Sequence, residues 1–313
     1  MNRAWRHVKA LWPRWMWMPV APFAVFFLFL GIRGDLRWEH LALAIVAPAL
    51  AYGNASTKRL FVAAVPMAYV GVLYQAMGYA RDVGVSPARV LNCDLRSFEM
   101  RLFGITVGGE RMTLSDYFVT HHATWIDLGA AIPYGTFIFA CIAANIYLFF
   151  EDYPAAQRFA WAFFLMNVLG FITYHALPAA PPWYFHEHGC EISMTALPSE
   201  GPRLAHVDEV LGVDYFRSMY ARSSDLYGAL PSLHVAYPLL IVIEGWRAFG
   251  KLGRAASILF AATMAFAAVY LDHHWVTDVV LGVGYCLASI ALVRWIQARV
   301  RAAAASPTAT SSA

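Results

Sequence analysis

Eight stretches of mostly apolar residues punctuate the chain, at roughly 18–32, 38–54, 60–80, 128–150, 158–177, 232–248, 255–271 and 276–296. Each approaches the about 20 residues that an α-helix needs to cross a bilayer. The first two are short and the second contains Pro48, so either can be a bent or re-entrant piece. Pro133 and Pro238 fall near the starts of their stretches, where a missing N–H matters least. The expected fold class is an all-α integral membrane protein, a helical bundle of about eight spans around a six-helix catalytic core. Its expected domains are a basic, Trp-rich lead with two accessory spans over 1–59, a membrane-embedded core over 60–300, and a disordered tail over 301–313.

Composition agrees with the pattern. Hydrophobic residues make up 60% and charged residues 14%, against roughly 25% charged in soluble domains. The lead "NRAWRHVKALWPRWMWM" precedes an apolar stretch as a signal peptide would, but no small-x-small cleavage site follows. It reads as a retained interfacial anchor.

Charge fixes an orientation. With eight spans and the N-terminus inside, the cytoplasmic segments hold Arg3, Arg6, Lys9, Arg14, Lys58, Arg59, Arg158, Arg247, Lys251, Arg254, Arg294, Arg299 and Arg301. The same side holds only Glu151, Asp152 and Glu244, so the short loops obey the positive-inside rule. Two long segments, 81–127 and 178–231, and the turn at 272–275 then face the other compartment, a periplasm or a lumen. The short loops favour a bacterial inner membrane. Cys141 and Cys286 fall in spans and read as small hydrophobes. Cys93 and Cys190 fall in the two long outer segments, where an oxidising compartment would let them pair; their spacing does not fix it.

Ionisable residues at the edge of spans are costly and suggest function. His234 opens one span in "PSLH". His274 and Asp278 open another in "HHWVTD", spaced i, i+4 and so stacked on one helix face. The segment "TYHALPAAPPWY", with prolines at 178, 181 and 182, ends a third. A carboxylate one turn from an imidazole fixes its tautomer and leaves the other nitrogen as nucleophile or base. A second histidine can protonate a leaving oxygen and deprotonate an incoming one. Pro231-Ser232 would start a helix whose free N–H groups suit phosphate oxygens. A lone histidine at a membrane rim is more often a solvated residue. Two such motifs on one predicted side favour phosphoryl transfer.

"PSLH" followed by "HHWVTD" resembles the two histidine motifs of the type 2 phosphatidic acid phosphatase superfamily. "LPAAPPWY", "GALPSLH" and "YLDHHWVTD", with "DLRSFEMRLFG" and "WIDLGAAIPY" upstream, are similar to its branch of inositol-phosphorylceramide and related sphingolipid synthases. The resemblance covers roughly 90–297. It implies a metal-independent enzyme with a phosphohistidine intermediate, in which His274 is the nucleophile, Asp278 orients it and His234 is the acid/base. It also implies phosphatidylinositol as donor and ceramide as acceptor. No cofactor is expected. The partners are a phospholipid donor, a lipid alcohol acceptor and the membrane, with no nucleic acid.

Phosphatases of the superfamily carry a Lys-and-Arg motif first and a Ser-Arg pair ahead of the nucleophile; here Ala267 and Ala268 stand there. A phosphomonoester carries nearly two charges and calls for Arg or Lys clamps. A diester carries one, within reach of helix-start N–H groups and neighbouring histidines. The missing clamp argues for transfer between lipids, unless Arg203, Arg217 or Arg222 folds back from the outer segment. The candidate substrate-binding residues are Ser232, His273, Pro182, Trp183, Tyr184 and Arg222. His175 reads as structural. "HEHGC" with His121 and His122 matches no known zinc spacing, and no metal is expected. Asp116 and Asp127 read as helix caps, although Asp127 can also order a neighbouring histidine. The competing functions are a lipid-phosphate or polyprenyl-phosphate phosphatase using the same residues with water, and a transporter relaying protons through its histidines.

Overall fold

The computed structural model describes residues 3–13, 18–197, 201–221 and 226–305. Among them lie fourteen α-helices and one two-stranded hairpin. Eight helices match the apolar stretches: α2 (Ala21–Arg33), α3 (Trp38–Tyr52), α4 (Ala55–Gly78), α7 (Thr124–Glu151), α8 (Tyr153–Ala176), α12 (Leu233–Gly245), α13 (Lys251–Tyr270) and α14 (Val276–Ala305). Five of these, α4, α7, α8, α13 and α14, are long and apolar enough to cross a membrane; α2, α3 and α12 are shorter. The protein is thus an all-α, multi-pass membrane protein. Large apolar side chains such as Ile32, Phe139, Phe150, Leu259 and Val280 point outward along its sides.

α8 is the hub, packed against α4, α7, α12 and α14. Its buried positions include Ala155, Ala156, Ala160, Ala162 and Gly170. Lipid tails are as apolar as a neighbouring helix, so small side chains drive packing by letting backbones approach closely. A Cβ on Gly170 would sit 3.0 Å from a methyl of Leu233. At one end Glu244 of α12 is buried and joins Arg158 of α8 to Arg294 of α14. α2 and α3 build a separate apolar cluster against α4 around Phe23, Leu30 and Phe61. The lead forms α1 (Arg3–Leu11), tied to the end of α3 and the turn after it through His7 Nε2 and the carbonyls of Tyr52 and Gly53.

The two long segments at 81–127 and 178–231 are not simple loops. They fold into a cap made of α5 (Cys93–Phe103), hairpin β1–β2 (Ile105–Val107 and Glu110–Met112), α6 (Leu114–Thr120), α9 (Pro182–His188), α10 (Pro202–Leu211) and α11 (Tyr215–Tyr220). The strands pair antiparallel, Thr106 opposite Arg111. Short helices of mixed polarity show no long apolar run, so the pattern of the sequence hides them. Their burial comes from one another and from the bundle ends, with α10 against α7, α6 against α13 and α5 against α14. Leu91 bridges Ala179, which bridges Gly228, knitting three distant segments together. A disulfide joins Cys93 to Cys190 across 97 residues, and Asn92 Nδ2 donates to the Gly189 carbonyl beside it.

A crosslink closing so long a loop removes unfolded-state entropy, typically about 2–4 kcal/mol. Cys93→Ser is expected to lower the thermal midpoint of the purified protein. Reductant should bring the wild type down to the same midpoint and leave the variant unmoved.

Candidate active site

α13 ends just before the histidine turn. The N–H groups of His273 and His274 both return to the Ala268 carbonyl, at 3.2 and 2.9 Å. Between them and the helix, Asp272 takes a left-handed backbone with φ 67°, a conformation that aspartate tolerates better than most residues. The chain reverses there and α14 begins.

The first turn of α14 needs partners for its N–H groups. Trp275 N donates to Asp278 Oδ2 at 2.9 Å. Val276 N and Thr277 N donate to the two oxygens of Glu99, at 2.8 and 3.0 Å, and Thr277 Oγ1 donates to Glu99 Oε2 at 2.6 Å. Glu99, on α5, is buried. The proline segment docks on the same turn: Trp183 N donates to the Asp272 carbonyl, and Trp275 Nε1 to the Ala180 carbonyl.

α12 is brought in by backbone contact. Ser232 N donates to the Asp278 carbonyl at 2.9 Å. A Cβ on Gly282 would lie 2.2 Å from the Ser232 carbonyl oxygen, so only glycine lets α14 pass this close to the start of α12. No side chain caps α12, which leaves the N–H groups of its first turn for an anion.

The two histidines meet, with His234 Nδ1 3.2 Å from His274 Nε2. The other ring nitrogen of His274, Nδ1, lies 3.0 Å from the Ala229 carbonyl and 3.4 Å from Asp278 Oδ2. The backbone carbonyl is thus the nearer partner, and it requires a proton on Nδ1. Nε2 is then the lone-pair nitrogen, facing His234. Burial pushes His274 down to about 4, against the Ala229 hydrogen bond, so its ring is neutral at neutral pH. Burial also lowers His273, helped by its histidine neighbours and Arg203. The His234 ring stacks on Tyr134 with centroids 4.7 Å apart, and the Phe137 edge packs against it.

A cavity of about 130 Å³ opens over both rings, lined by His234, His273, His274, Trp183 and the tyrosines 74, 174 and 220 among others. Among the described residues, no Lys or Arg lines it. Several buried polar atoms nearby lack a hydrogen-bond partner among the described residues: His273 Nε2, Tyr220 Oη, Tyr134 Oη and Ser232 Oγ. His273 stacks on Tyr220.

Of the substrate-binding candidates, His273 and Trp183 line this cavity. Ser232 is buried at its edge, with its N–H committed to Asp278. Pro182 and Tyr184 are buried away from it. Tyr184 packs with Val90 and Tyr227 inside the cap, where its hydroxyl meets Glu191 and Ser193, because one turn of α9 cannot present consecutive side chains to the same cavity. Arg222 lies outside the described residues. Arg203 does fold back, but toward Asp127, at 2.6 Å, and the Phe118 carbonyl. Arg217 approaches only Glu209, at the exposed rim. Asp127 also meets His122 at 3.3 Å, and Asp116 caps α6.

His186 of "HEHGC" is held between two carboxylates, Asp272 at 2.7 Å and Asp116 at 3.0 Å, and Asp116 is also paired with Arg96. Burial opposes charge on His186, but the two carboxylates outweigh it and lift it to about 9. Burial pushes Asp272 up to about 6, against its bond to His186. Between these values the pair is ionised. It braces the turn that carries the histidines.

Residues 108–292 match the PAP2 superfamily, which is 59% of the chain. The chain belongs to the PAP2 superfamily. Within it, the chain is 33% identical over 277 residues to a phosphoinositol dihydroceramide synthase of Bacteroides thetaiotaomicron, covering 87% of this chain and 88% of that protein. It is 27% identical over 257 residues to the inositol phosphorylceramide synthase catalytic subunit AUR1 of Saccharomyces cerevisiae, 82% of this chain and 62% of that one. It is 32% identical over 171 residues to the inositol phosphorylceramide synthase of Candida albicans, 54% of this chain and 36% of that one. No solved structure matches. Glu99 and Cys93 lie outside the matched PAP2 segment.

Removing the Glu99 carboxylate would strand two buried N–H groups, at about 1–3 kcal/mol. Glu99→Ala is expected to cut kcat at least tenfold with KM little changed, because α14 shifts relative to His234; Thr277→Val, which loses one hydroxyl, should cost less. His186→Gln removes the cation beside Asp272 and so raises the Asp272 pKa further. If Asp272 ionisation sets the acid limb of the pH–activity curve, that limb is expected near 6 in the wild type and at higher pH in the variant. Curves that superimpose would show that Asp272 ionisation does not govern the turn.

Proposed function

We propose that this protein is a membrane lipid phosphotransferase that moves phosphoinositol from a glycerophospholipid to ceramide or a similar lipid alcohol. The observation that carries this reading is the pair of facing histidine nitrogens in a cavity walled by aromatic rings, with no Lys or Arg among its described lining residues. A phosphodiester, with one charge, can enter such a cavity; a phosphomonoester, with nearly two, would lack clamping cations. The names of the relatives, bacterial and fungal, support the same chemistry.

The phosphorus takes up its position between the two rings, displacing the direct contact. His274 Nε2 attacks it in line while Nδ1–H stays on the Ala229 carbonyl, with Asp278 alongside to stabilise the charge that develops. The P–O bond to diacylglycerol breaks, and His234, held as an imidazolium beside the bound phosphodiester anion, gives its proton to the departing oxygen and becomes neutral. A phosphohistidine diester remains. His234, now basic, takes the proton of the acceptor hydroxyl, whose oxygen attacks phosphorus and breaks the P–N bond. Both enzyme groups return to their starting state. The first-turn N–H groups of α12, His273 and Tyr220 are placed to hold the non-bridging oxygens.

In this reading residues 60–300 are the phosphotransferase core, and the first 59 residues, with α2 and α3, are accessory. Of the tail expected over 301–313, residues 301–305 continue α14, and those from 306 onward lie outside the described residues. The site faces the non-cytoplasmic side of a bacterial inner membrane, since the basic short loops gather at the other end.

The test is transfer in reconstituted vesicles with fluorescent ceramide and either phosphatidylinositol or phosphatidate. Headgroup transfer should need phosphatidylinositol, and His274→Ala should lower it by roughly a thousandfold or more. With labelled phosphatidylinositol and no acceptor, an acid-labile, base-stable adduct is expected at His274. Release of inorganic phosphate from phosphatidate, without transfer, would make the protein a hydrolase instead. Proton flux without any adduct would make it a transporter.

A further inference from the structure

Charge and shape converge a second time at the end of the bundle farthest from the histidines. A cavity of about 690 Å³ opens there between the start of α8 and the ends of α12 and α14. Its wall carries Arg158, Arg247, Arg294 and Arg301 and a single carboxylate, Glu244. The Glu244 side chain is only 1% exposed and accepts from Arg158 Nε at 2.7 Å and from Arg294 Nη2 at 2.8 Å. One carboxylate therefore serves two guanidinium groups. No carboxylate among the described residues pairs with Arg247 or Arg301. Four arginines less one glutamate leave an excess of three positive charges around one cavity.

Arginine does not lose its proton in proteins, so this repulsion cannot be relieved by neutralisation. It is relieved by an anion, and the guanidinium fork suits phosphate oxygens two at a time. Glu244 also holds the forks of Arg158 and Arg294 in place before anything binds, which lowers the ordering cost of binding. The position says which phosphate. From Val276 to Arg294 is eighteen residues of helix, about 27 Å, close to the thickness of a bilayer's hydrocarbon core. The cavity mouth is thus level with the phosphate layer of the leaflet opposite the histidine site. Trp246, in its wall, and Trp295 beside it are exposed, as aromatic side chains are at membrane interfaces. Val242 and Ile243 in its wall offer apolar surface to an acyl chain.

We propose that this cavity binds the phosphate of an anionic glycerophospholipid, at a site distinct from the histidine cavity and occupied whichever reaction the histidines perform. Free phosphate shares the headgroup's chemistry but makes no use of the apolar wall formed by Val242, Ile243 and Trp246.

The test is native mass spectrometry of the purified full-length protein, titrated with dioleoylphosphatidylglycerol, dioleoylphosphatidylcholine or inorganic phosphate. Phosphatidylglycerol is expected to bind in preference to phosphatidylcholine. Arg247→Ala/Arg301→Ala should weaken that binding by about thirtyfold, which is about 2 kcal/mol, and Arg247→Lys/Arg301→Lys should recover part of it. Lys251→Ala/Arg299→Ala removes the same charge at the same end outside the cavity, and should change binding less than threefold. Both Ala pairs spare Glu244, so an unchanged thermal midpoint without lipid will separate lost binding from lost fold. Equal losses in the two Ala pairs would reduce the effect to diffuse surface charge and overturn the proposal. So would binding without preference for the anionic lipid, or inorganic phosphate displacing phosphatidylglycerol at equal concentration.

Discussion

The first turn of α14 has to be held against the start of α12, or the two histidines do not meet. A helix N-terminus buried in protein cannot leave its N–H groups to water, and each group without a partner would cost about 1–3 kcal/mol. Here Asp278 and Glu99 take those groups, and the Asp278 carbonyl receives Ser232 from the other helix. Asp278 therefore has two tasks, one toward the helix that carries it and one toward His274. Gly282 leaves out the Cβ that would collide with the Ser232 carbonyl.

The cap matters because it supplies what the bundle lacks. α5 brings Glu99, the proline segment brings Trp183 over the cavity, and Ala229 brings the carbonyl that sets the His274 tautomer. Each comes from a different stretch of chain, and the disulfide and the Leu91–Ala179–Gly228 bridges hold the stretches in register. The cap also disposes of a cation. Arg203 is within electrostatic reach of His273, yet its charge is answered by Asp127. The cavity is left aromatic and weakly charged, which suits a sugar-like headgroup on a single phosphate charge. Glu244, at the other end, answers two arginines and leaves two with no carboxylate partner among the described residues.

Much was legible in the chain itself. Runs of apolar residues mark the eight helices, because a bilayer leaves no other way to satisfy a spanning backbone. The i, i+4 spacing puts His274 and Asp278 on one face of α14, and "PSLH" puts His234 at the start of another apolar helix. These are local facts, and local periodicity carries them. The span lengths were read less well. α12 is 13 residues, shorter than the stretch at 232–248, and the outer segments that read as loops are folded.

Only tertiary structure decided the rest. Glu99 is 177 residues from the backbone it caps, and nothing in "SFEMR" sets it apart from a solvated glutamate. The Ala229 carbonyl is invisible in sequence because every residue has one. Tyr220 and Tyr134 reach the histidine rings through stacking that no spacing announces. Trp183 lines the cavity while its neighbour Tyr184 turns into the cap, a choice made by the direction of one helical turn. The sequence by itself determined which residue types can do chemistry and on which helix faces they lie, since helical geometry repeats every few residues. How those faces meet depends on contacts between residues far apart in the chain, and those exist only once the bundle and its cap have closed.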